Sequence, residues 1–253
     1  MMKKIRILLI PIFLCSLFVQ AQEGLEDIFI ETYYESQVNP FTGDSEPVTT
    51  YRVYVDLAEG YNLQAVYGNS NHPMFFESSQ PILNQTDRGA QIATWLDYKR
   101  YNDGNLYLDS YLTMSVASNG HCGVPLKYDS DGSLYPSWMG DGCPKVFQKV
   151  DGLMPSRPVN VELIGLTADA FGDSQTGTRV ETSDGCWALM GSVKGATPEN
   201  CVLIAQVTTT GTLSFELNLQ VGKPDGKPQQ FVARNPQGKE VMSEKLIYPR
   251  PIK

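Results

Sequence analysis

The sequence has little of what metalloenzymes, hydrolases and nucleic-acid-binding proteins use. Histidine occurs only twice, at His72 and His121, and there is no Cys-x-x-Cys pair, which argues against a zinc site. A Gly-x-Ser-x-Gly nucleophile elbow is also missing. Acidic residues outnumber basic ones by 28 to 20, so the surface does not suit nucleic acid or anionic lipid headgroups. No apolar run reaches the roughly 20 residues that a membrane-spanning helix needs.

The longest apolar run begins the chain and has the layout of a secretory signal peptide. Three basic residues precede it, the run covers residues 7–19, and small residues follow up to Ala21, where cleavage is expected. Removal of residues 1–21 starts the mature chain at Gln22 without a transmembrane anchor. It also removes three cations, so the formal charge changes from −8 to about −11. We therefore predict export, with secretion, the cell surface and the periplasm all open as destinations.

Four cysteines lie beyond the signal peptide, and an oxidising compartment favours disulfide bonds between them. Four cysteines allow three connectivities. The sequential pairing, Cys122 with Cys143 and Cys186 with Cys201, closes the shortest loops, and each pair brackets a turn-rich segment. We expect these two disulfides, each worth about 3 kcal/mol through loop closure. The alternative is a zinc site that uses the same thiolates.

Short segments with alternating apolar and polar residues recur along the chain, and no long stretch keeps a helical period. Val48–Leu57 alternates in this way, and a second alternating run at residues 61–67 follows a Glu-Gly turn, which predicts a hairpin. Residues 201–208 and 213–220 predict another hairpin around a Thr-Thr-Gly turn. Further strands are predicted at residues 27–34, 91–96 and 106–116.

These patterns predict an all-β fold, a single β-sandwich of jelly-roll type over residues 22–253. Residues 118–158 are rich in Gly, Pro, Asp and Ser, and we expect them to form a long disulfide-closed loop at one end of the sandwich. Residues 169–184 are expected to form a second polar loop. Trp187 lies in a predicted strand and is expected to pack over the core.

Three segments show a recurring strand-and-turn pattern: TTYRVYVDLAEGYNLQAVYG (49–68), LDSYLTMS (108–115) and NCVLIAQVTTTGTLSFELNLQV (200–221). In these segments the chain resembles a loosely defined group of exported, mostly uncharacterised bacterial β-rich proteins associated with type IX secretion. The resemblance implies an extracellular or cell-surface β-sandwich and carries over no catalytic residue, because the shared stretches are strand-and-turn patterns. Many members of the group end in a sorting domain, which the terminal KLIYPRPIK segment does not resemble.

An acidic stretch in the long loop has the oxygen-rich composition of a calcium site, since Ca²⁺ takes six to eight oxygen ligands. Asp129 and Asp131 are the predicted ligands. The spacing does not fit the twelve-residue helix-loop-helix pattern, because its sixth and twelfth positions are Leu134 and Gly140. The alternative is a solvated turn in which the Asp side chains bond nearby backbone.

Residues 95–111 (WLDYKRYNDGNLYLDSY) interleave aromatic rings with Asp and Asn side chains. Such a surface can stack on sugar rings and bond their hydroxyl groups, and Tyr and Trp also serve protein interfaces. For Trp95, core packing is the expected fate. Together with aromatic residues of the long loop, the stretch supplies the predicted ligand contacts Tyr101, Tyr128, Tyr135 and Trp138.

Evidence for catalysis is weak in this sequence. Gly172-Asp173-Ser174 resembles the start of a serine-hydrolase block, but a nucleophilic serine needs a histidine base and only two histidines exist. No spacing marks a pair of carboxylates for glycoside hydrolysis. We therefore predict a noncatalytic binding or adhesion module that contacts a glycan or a cell-envelope protein, with calcium as the one cofactor considered. The alternatives are an extracellular polysaccharide hydrolase and a structural subunit of a surface or secretion assembly.

Overall fold

The structure, a computed structural model, describes residues 24–101, 103–129, 132, 147, 150–172 and 177–251. The predicted signal peptide, Asp131, Tyr135, Trp138 and Cys143 lie outside this range. The protein is mostly β, with 43% strand and 11% helix, which confirms the all-β class. Among the described residues, none of the helices combines the length and the apolar composition that crossing a membrane requires.

The described residues form strands and short 3₁₀ helices. The strands are β1 (Leu25–Ser36), β2 (Val48–Leu57), β3 (Asn62–Tyr67), β4 (Met74–Ser78), β5 (Ile82–Leu83), β6 (Tyr111–Leu112), β7 (Val116–Ser118), β8 (His121–Gly123), β9 (Leu153–Pro155), β10 (Val161–Ile164), β11 (Arg179–Thr182), β12 (Cys186–Val193), β13 (Cys201–Thr209), β14 (Leu213–Glu216), β15 (Leu219–Gly222), β16 (Pro228–Val232), β17 (Val241–Met242) and β18 (Ile247–Tyr248). The 3₁₀ helices are Ala93–Trp95, Tyr98–Arg100, Asp103–Leu108, Leu126–Tyr128, Asp169–Phe171 and Glu244–Leu246.

The described strands belong to four sheets. Sheet A has the order β1-β2-β13-β5, with β6 also paired to β13, and sheet B has the order β10-β12-β3-β15-β16-β17. Sheet C has the order β11-β4-β14-β18, and sheet D has the order β7-β8-β9. Strand pairs in these sheets are antiparallel except for β16 and β17. The arrangement of four small sheets is propeller-like, so the predicted two-sheet jelly roll is wrong.

Both predicted hairpins are divided between sheets. β2 pairs with β1 and β13 in sheet A, whereas β3 pairs with β12 and β15 in sheet B. Likewise β13 lies in sheet A and β14 in sheet C. Val55 of β2 and Val66 of β3 nevertheless face one core. Strands in opposed sheets show the same alternation as strands in one hairpin, and for this reason the sequence pattern did not distinguish them.

Two other predicted strands are interrupted by turns. Residues 91–96 contain a 3₁₀ helix, and residues 106–116 contain the end of another together with β6 and the first residue of β7. Ser115, within the second of these segments, has a φ of +72°, which an extended strand does not allow. The strand predicted at residues 27–34 lies within β1 and is confirmed.

The first core lies between sheet A and sheets B and C. Val53 and Val55 enter it from sheet A, and Phe76 and Phe215 of sheet C stack with their ring centroids 5.5 Å apart. Trp187 enters it from sheet B and is fully buried, as predicted. Burial of such large side chains stabilises the fold by about 1.5–3 kcal/mol each.

The second core covers the opposite face of sheet A. The rings of Tyr33 and Tyr54 lie on this face and are covered by the segment that links β5 to β8. Phe147, from the predicted long loop, is fully buried here, with its ring centroid 4.8 Å from that of Tyr33 and 5.7 Å from that of Tyr107. The described part of residues 118–158 therefore reaches the core through Phe147, and it also supplies β8 and β9 of sheet D.

A buried cation lies at the centre of the second core. Arg52 is 1% exposed, its Nε donates to Gln206 Oε1 at 2.8 Å, and its Nη1 donates to the Gly152 carbonyl at 2.8 Å. The guanidinium carbon lies 3.5 Å from the Tyr33 ring centroid, a cation–π contact. Residue 152 must be glycine, because its φ is +67° and a Cβ would lie 2.5 Å from Arg52 Nη1. Arg52 thus fastens sheet A to the segment before β9.

The predicted disulfide between Cys186 and Cys201 is wrong, and no disulfide joins two of the described cysteines. Trp187 faces the first core from sheet B, so its neighbour Cys186 faces away from that core. Cys201 belongs to the second core, behind sheet A. The two thiols therefore point in opposite directions from the core that separates them. Cys143, the predicted partner of Cys122, lies outside the described residues.

Candidate functional site

The most exposed aromatic side chain in the described part of the chain is Trp95, which is 66% exposed. The prediction that it packs in the core is wrong, because residues 93–95 form a 3₁₀ turn instead of a strand. The Leu96 N–H donates to the Ala93 carbonyl at 3.0 Å. Residues three apart share a face in a 3₁₀ turn, so Ala93 and Leu96 are buried together and Trp95 is directed to solvent.

The residues around Trp95 are held by backbone and ring contacts. The Asn119 N–H donates to the Leu96 carbonyl at 2.9 Å, which fastens the turn to the loop between β7 and β8. Asp97 Oδ1 accepts the Lys99 N–H at 3.0 Å and begins the next 3₁₀ helix. The half-buried Tyr98 ring meets the His121 ring edge-on, with the centroids 4.5 Å apart. We name Trp95, Asp97, Tyr98 and Asn119 the aromatic ledge.

The aromatic ledge combines a flat apolar face with polar groups. The indole of Trp95 offers a stacking surface, and its N–H is a donor. Asp97 and Asn119 are exposed and supply carboxylate and amide groups that can bond hydroxyl groups. A sugar ring, with an apolar face and a rim of hydroxyl groups, fits this combination.

One of the predicted ligand contacts, Tyr101, is wrong, because this residue is buried. Tyr101 is 2% exposed, and its hydroxyl donates to the Ala117 carbonyl inside the second core. Its ring is therefore a core ring and not a surface contact. Tyr128 is half-buried, and Lys127 Nζ lies 4.4 Å from its ring centroid. Tyr135 and Trp138 lie outside the described residues, and their ligand contacts stay predictions.

Asp129, one of the two predicted calcium ligands, closes the ends of the long loop. Its Oδ1 accepts the Gly132 N–H at 3.0 Å, and its Oδ2 accepts the N–H groups of Asp151 at 2.7 Å and Gly152 at 2.9 Å. This is the backbone-bonding role of the alternative interpretation, extended across the loop. Among the described residues, no group of three or more His, Cys, Asp or Glu side chains could hold a metal ion. Calcium binding at Asp129 and Asp131 stays a prediction.

Asp109 is a buried carboxyl group whose acidity is strongly altered. Burial raises its pKa to about 7, against the opposing effect of the backbone N–H groups of Gln85, Ala90 and Ser110. Its Oδ1 accepts the Gln85 N–H at 2.7 Å and its Oδ2 accepts the Ala90 N–H at 2.9 Å. A shifted pKa can mark an active site, but Asp109 is fully buried in the core and not in a cleft. Its role is structural.

A groove of about 530 Å³ on sheet C gathers three carboxylates. Each of them has a partner: Glu181 pairs with Arg179 at 2.8 Å, Glu216 with Arg234 at 2.8 Å, and Asp184 Oδ1 accepts from the Thr182 hydroxyl at 3.2 Å. All three are accessible to solvent. A glycosidase needs one carboxylic acid that is shielded enough to stay protonated. The geometry of this groove does not favour that chemistry.

The serine-hydrolase interpretation, which the sequence did not favour, would need one of the two histidines as a base. His72 is buried, and its Nε2 lies 2.8 Å from Glu240 Oε2. His121 packs against Tyr98 beside the aromatic ledge. Ser174 lies outside the described residues.

No protein family, curated protein or solved structure matches the chain. The side chains are therefore the guide to function, and the aromatic ledge is the candidate site among the described residues. The sequence pattern identified residues 95–111 as an aromatic-rich stretch but placed Trp95 in the core.

Proposed function

We propose that the protein is an exported, noncatalytic binding module that holds a neutral glycan on the aromatic ledge. The observation that carries the proposal is the 66% exposure of Trp95. Tryptophan is strongly buried on average, and an indole left in water forgoes roughly 2–3 kcal/mol of hydrophobic stabilisation. A ring kept at the surface at this cost suits a ligand that covers it.

The backbone of the ledge is held in place before a ligand arrives. Ala93 and Leu96 are buried beneath Trp95, and the Asn119 N–H fixes the Leu96 carbonyl. Binding at a fixed surface loses less conformational entropy than binding at a loop that must first become ordered. This favours measurable affinity from a small contact area.

The surroundings of Trp95 favour a glycan over a protein partner. Asp97, Lys99 and Arg100 are exposed beside it, so the indole is a single apolar face among charges. A stable protein interface needs an extended, largely apolar core of contacts and about 1,200 Å² or more of buried surface. A sugar needs one flat ring and a few hydrogen-bonding groups, which the ledge provides.

Replacement of Trp95 by alanine is expected to weaken glycan binding at least tenfold, which corresponds to about 1.4 kcal/mol. The reason is loss of the stacking face, since buried tryptophans carry much of the binding energy at contact surfaces. The measurement is affinity electrophoresis of the mature protein in soluble β-glucan, xylan, mannan and galactan, followed by calorimetry with the best polymer. Trp95→Phe keeps a ring and should retain most of the affinity.

The matched control is Met190→Ala, which removes another exposed apolar side chain, 83% exposed, from β12 of sheet B. It should bind as the native protein does, and thermal unfolding should show that both variants are folded. Equal affinities for Trp95→Ala and the native protein would exclude the ledge as the site. If the native protein binds none of the four polymers, the proposal that it binds a neutral glycan is overturned.

The noncatalytic part of the proposal has its own test. The native protein, incubated with the same polymers, should release no reducing sugar. If release occurs, the carboxylates of the sheet C groove, Glu181, Asp184 and Glu216, become the first residues to replace by their amides.

A further inference from the structure

A second surface lies over the β15–β16 hairpin. It is lined by charged and amide side chains, whereas the aromatic ledge presents an indole. Gln220 and Gln230 are directly paired in the hairpin, next to the pair of Leu219 and Phe231, whose side chains enter the first core. Side chains alternate along a strand, so both glutamines lie on the outer face of sheet B. The hairpin turn and the loop before β17 border this face and enclose a groove of about 620 Å³, a size typical of ligand sites.

The groove concentrates positive charge in an acidic protein. Lys223 and Lys227 come from the hairpin turn, and Lys239 comes from the loop before β17. Lys227 pairs with Asp225 at 3.4 Å. Within the part of the chain that the structure describes, Lys223 and Lys239 make no ion pair. Two of the three groove lysines therefore have no ion-pair partner among the described residues.

The acidic residues of the groove are already engaged. Glu240 Oε2 lies 2.8 Å from His72 Nε2 and accepts the Gln237 N–H at 2.7 Å. The N–H of Lys227 and the charges of Lys227 and Lys223 hold the pKa of Asp225 below its ordinary value. Three lysines therefore stand against two carboxylates, Asp225 and Glu240, so the groove keeps a net positive charge of one.

Amide groups line the rest of the groove. Gln229 Nε2 donates to the Lys239 carbonyl at 2.8 Å, and Gln220 Nε2 donates to Gln64 Oε1 at 2.9 Å. These bonds fix the two amide planes. Amides both donate and accept, so they can bond hydroxyl groups of either orientation. Among the residues that the structure describes, no aromatic side chain lines the groove, so they supply no stacking platform of the kind on which nucleic-acid bases depend.

We propose that this groove binds an acidic polysaccharide, with Lys223 and Lys239 contacting carboxylate or sulfate groups and the glutamine amides contacting hydroxyl groups. The site is separate from the aromatic ledge and does not depend on the function proposed for it. Lysine ammonium groups bind such anions as charge-assisted hydrogen-bond donors. The size of the groove fits a short stretch of a polymer, and its two open cations match a chain that carries repeated anions.

The test compares the affinity of the mature protein for three polymers. These are polygalacturonate, which carries carboxylates, dextran sulfate, and neutral dextran. We expect binding to at least one of the two anionic polymers, weakened by salt, and no binding to neutral dextran through this site. The two anionic arms identify which anion the groove prefers. The double variant Lys223→Gln/Lys239→Gln should lose at least tenfold in affinity.

The control is Lys194→Gln/Arg157→Gln, which removes two exposed cations elsewhere and should stay within about twofold of the native affinity. Trp95→Ala should also bind the anionic polymer normally, so failure here and failure at the ledge are distinguishable. The proposal is overturned if neither anionic polymer binds or if the control loses as much as the lysine variant. It is also overturned if a single-stranded oligonucleotide binds the same lysines as tightly as the glycan.

Discussion

Replacement of Arg52 by alanine should lower the free energy of unfolding by about 3–5 kcal/mol, because it empties a fully buried site and leaves polar groups unpaired. The Gly152 carbonyl would lose the donor at 2.8 Å, and the Tyr33 ring would lose the cation above it. Urea unfolding, followed by far-ultraviolet circular dichroism, measures the change.

Two variants separate geometry from charge at this position. Arg52→Lys keeps the cation but has a single ammonium group in place of the Nε and Nη1 donors that reach Gln206 and Gly152. It should recover only part of the loss. Arg100→Ala removes an exposed arginine that pairs with Asp103 at the surface and should change stability by less than about 0.5 kcal/mol. A native-like Arg52→Ala protein would show that the second core tolerates an empty site.

Replacement of Asp109 by asparagine should lower the free energy of unfolding by about 2–3 kcal/mol, although the two side chains have nearly the same shape. Both carboxyl oxygens accept backbone N–H groups, from Gln85 and Ala90. In asparagine one of these oxygens becomes an NH₂ group, so a donor faces a donor in a buried site. Asp109→Ala, which removes both acceptors, should be at least as unstable.

The loss at Asp109 should depend on pH in a defined direction. The folded pKa of about 7 lies above the ordinary value of 3.8, so the folded state binds this proton more tightly than the unfolded state. The resulting stabilisation is complete below about pH 4 and disappears as the pH rises through 7. Asparagine does not titrate and gains no such stabilisation. The stability gap between the two proteins should therefore be widest near pH 4 and narrow by pH 8, and a gap that widens would contradict a raised pKa.

The sequence predicted which residues are buried better than it predicted which strands pair. Alternation identified β2 and the run that contains β3, and it placed Trp187 in the core. It could not place the sheets, because partners such as Arg52 and Gln206 lie 154 positions apart and local pattern carries no information on that pairing. The disulfide between Cys186 and Cys201 was wrong for the same reason: adjacency in sequence did not place the two strands in one sheet.

The exposure of Trp95 follows from one 3₁₀ turn, and the sequence carries a signal for that turn. Ile92, Ala93 and Leu96 are the buried residues around Trp95, and their spacing is that of a helical turn and not of a strand. Asp97, which starts the next turn, was a further signal of a break in extended structure. For the groove over the β15–β16 hairpin, the sequence shows a local excess of Lys after residue 222. Only the fold, however, brings Lys239 beside the hairpin.

Because β2 pairs with β13, sheet A cannot form until nearly the whole chain is available. β13 is buried along its whole length and separates the two cores, yet its partner β2 lies about 150 residues earlier. Neither core can close until both strands are present, and such long-range pairing takes milliseconds to seconds. A chain that ends before Thr209 would therefore leave both cores open.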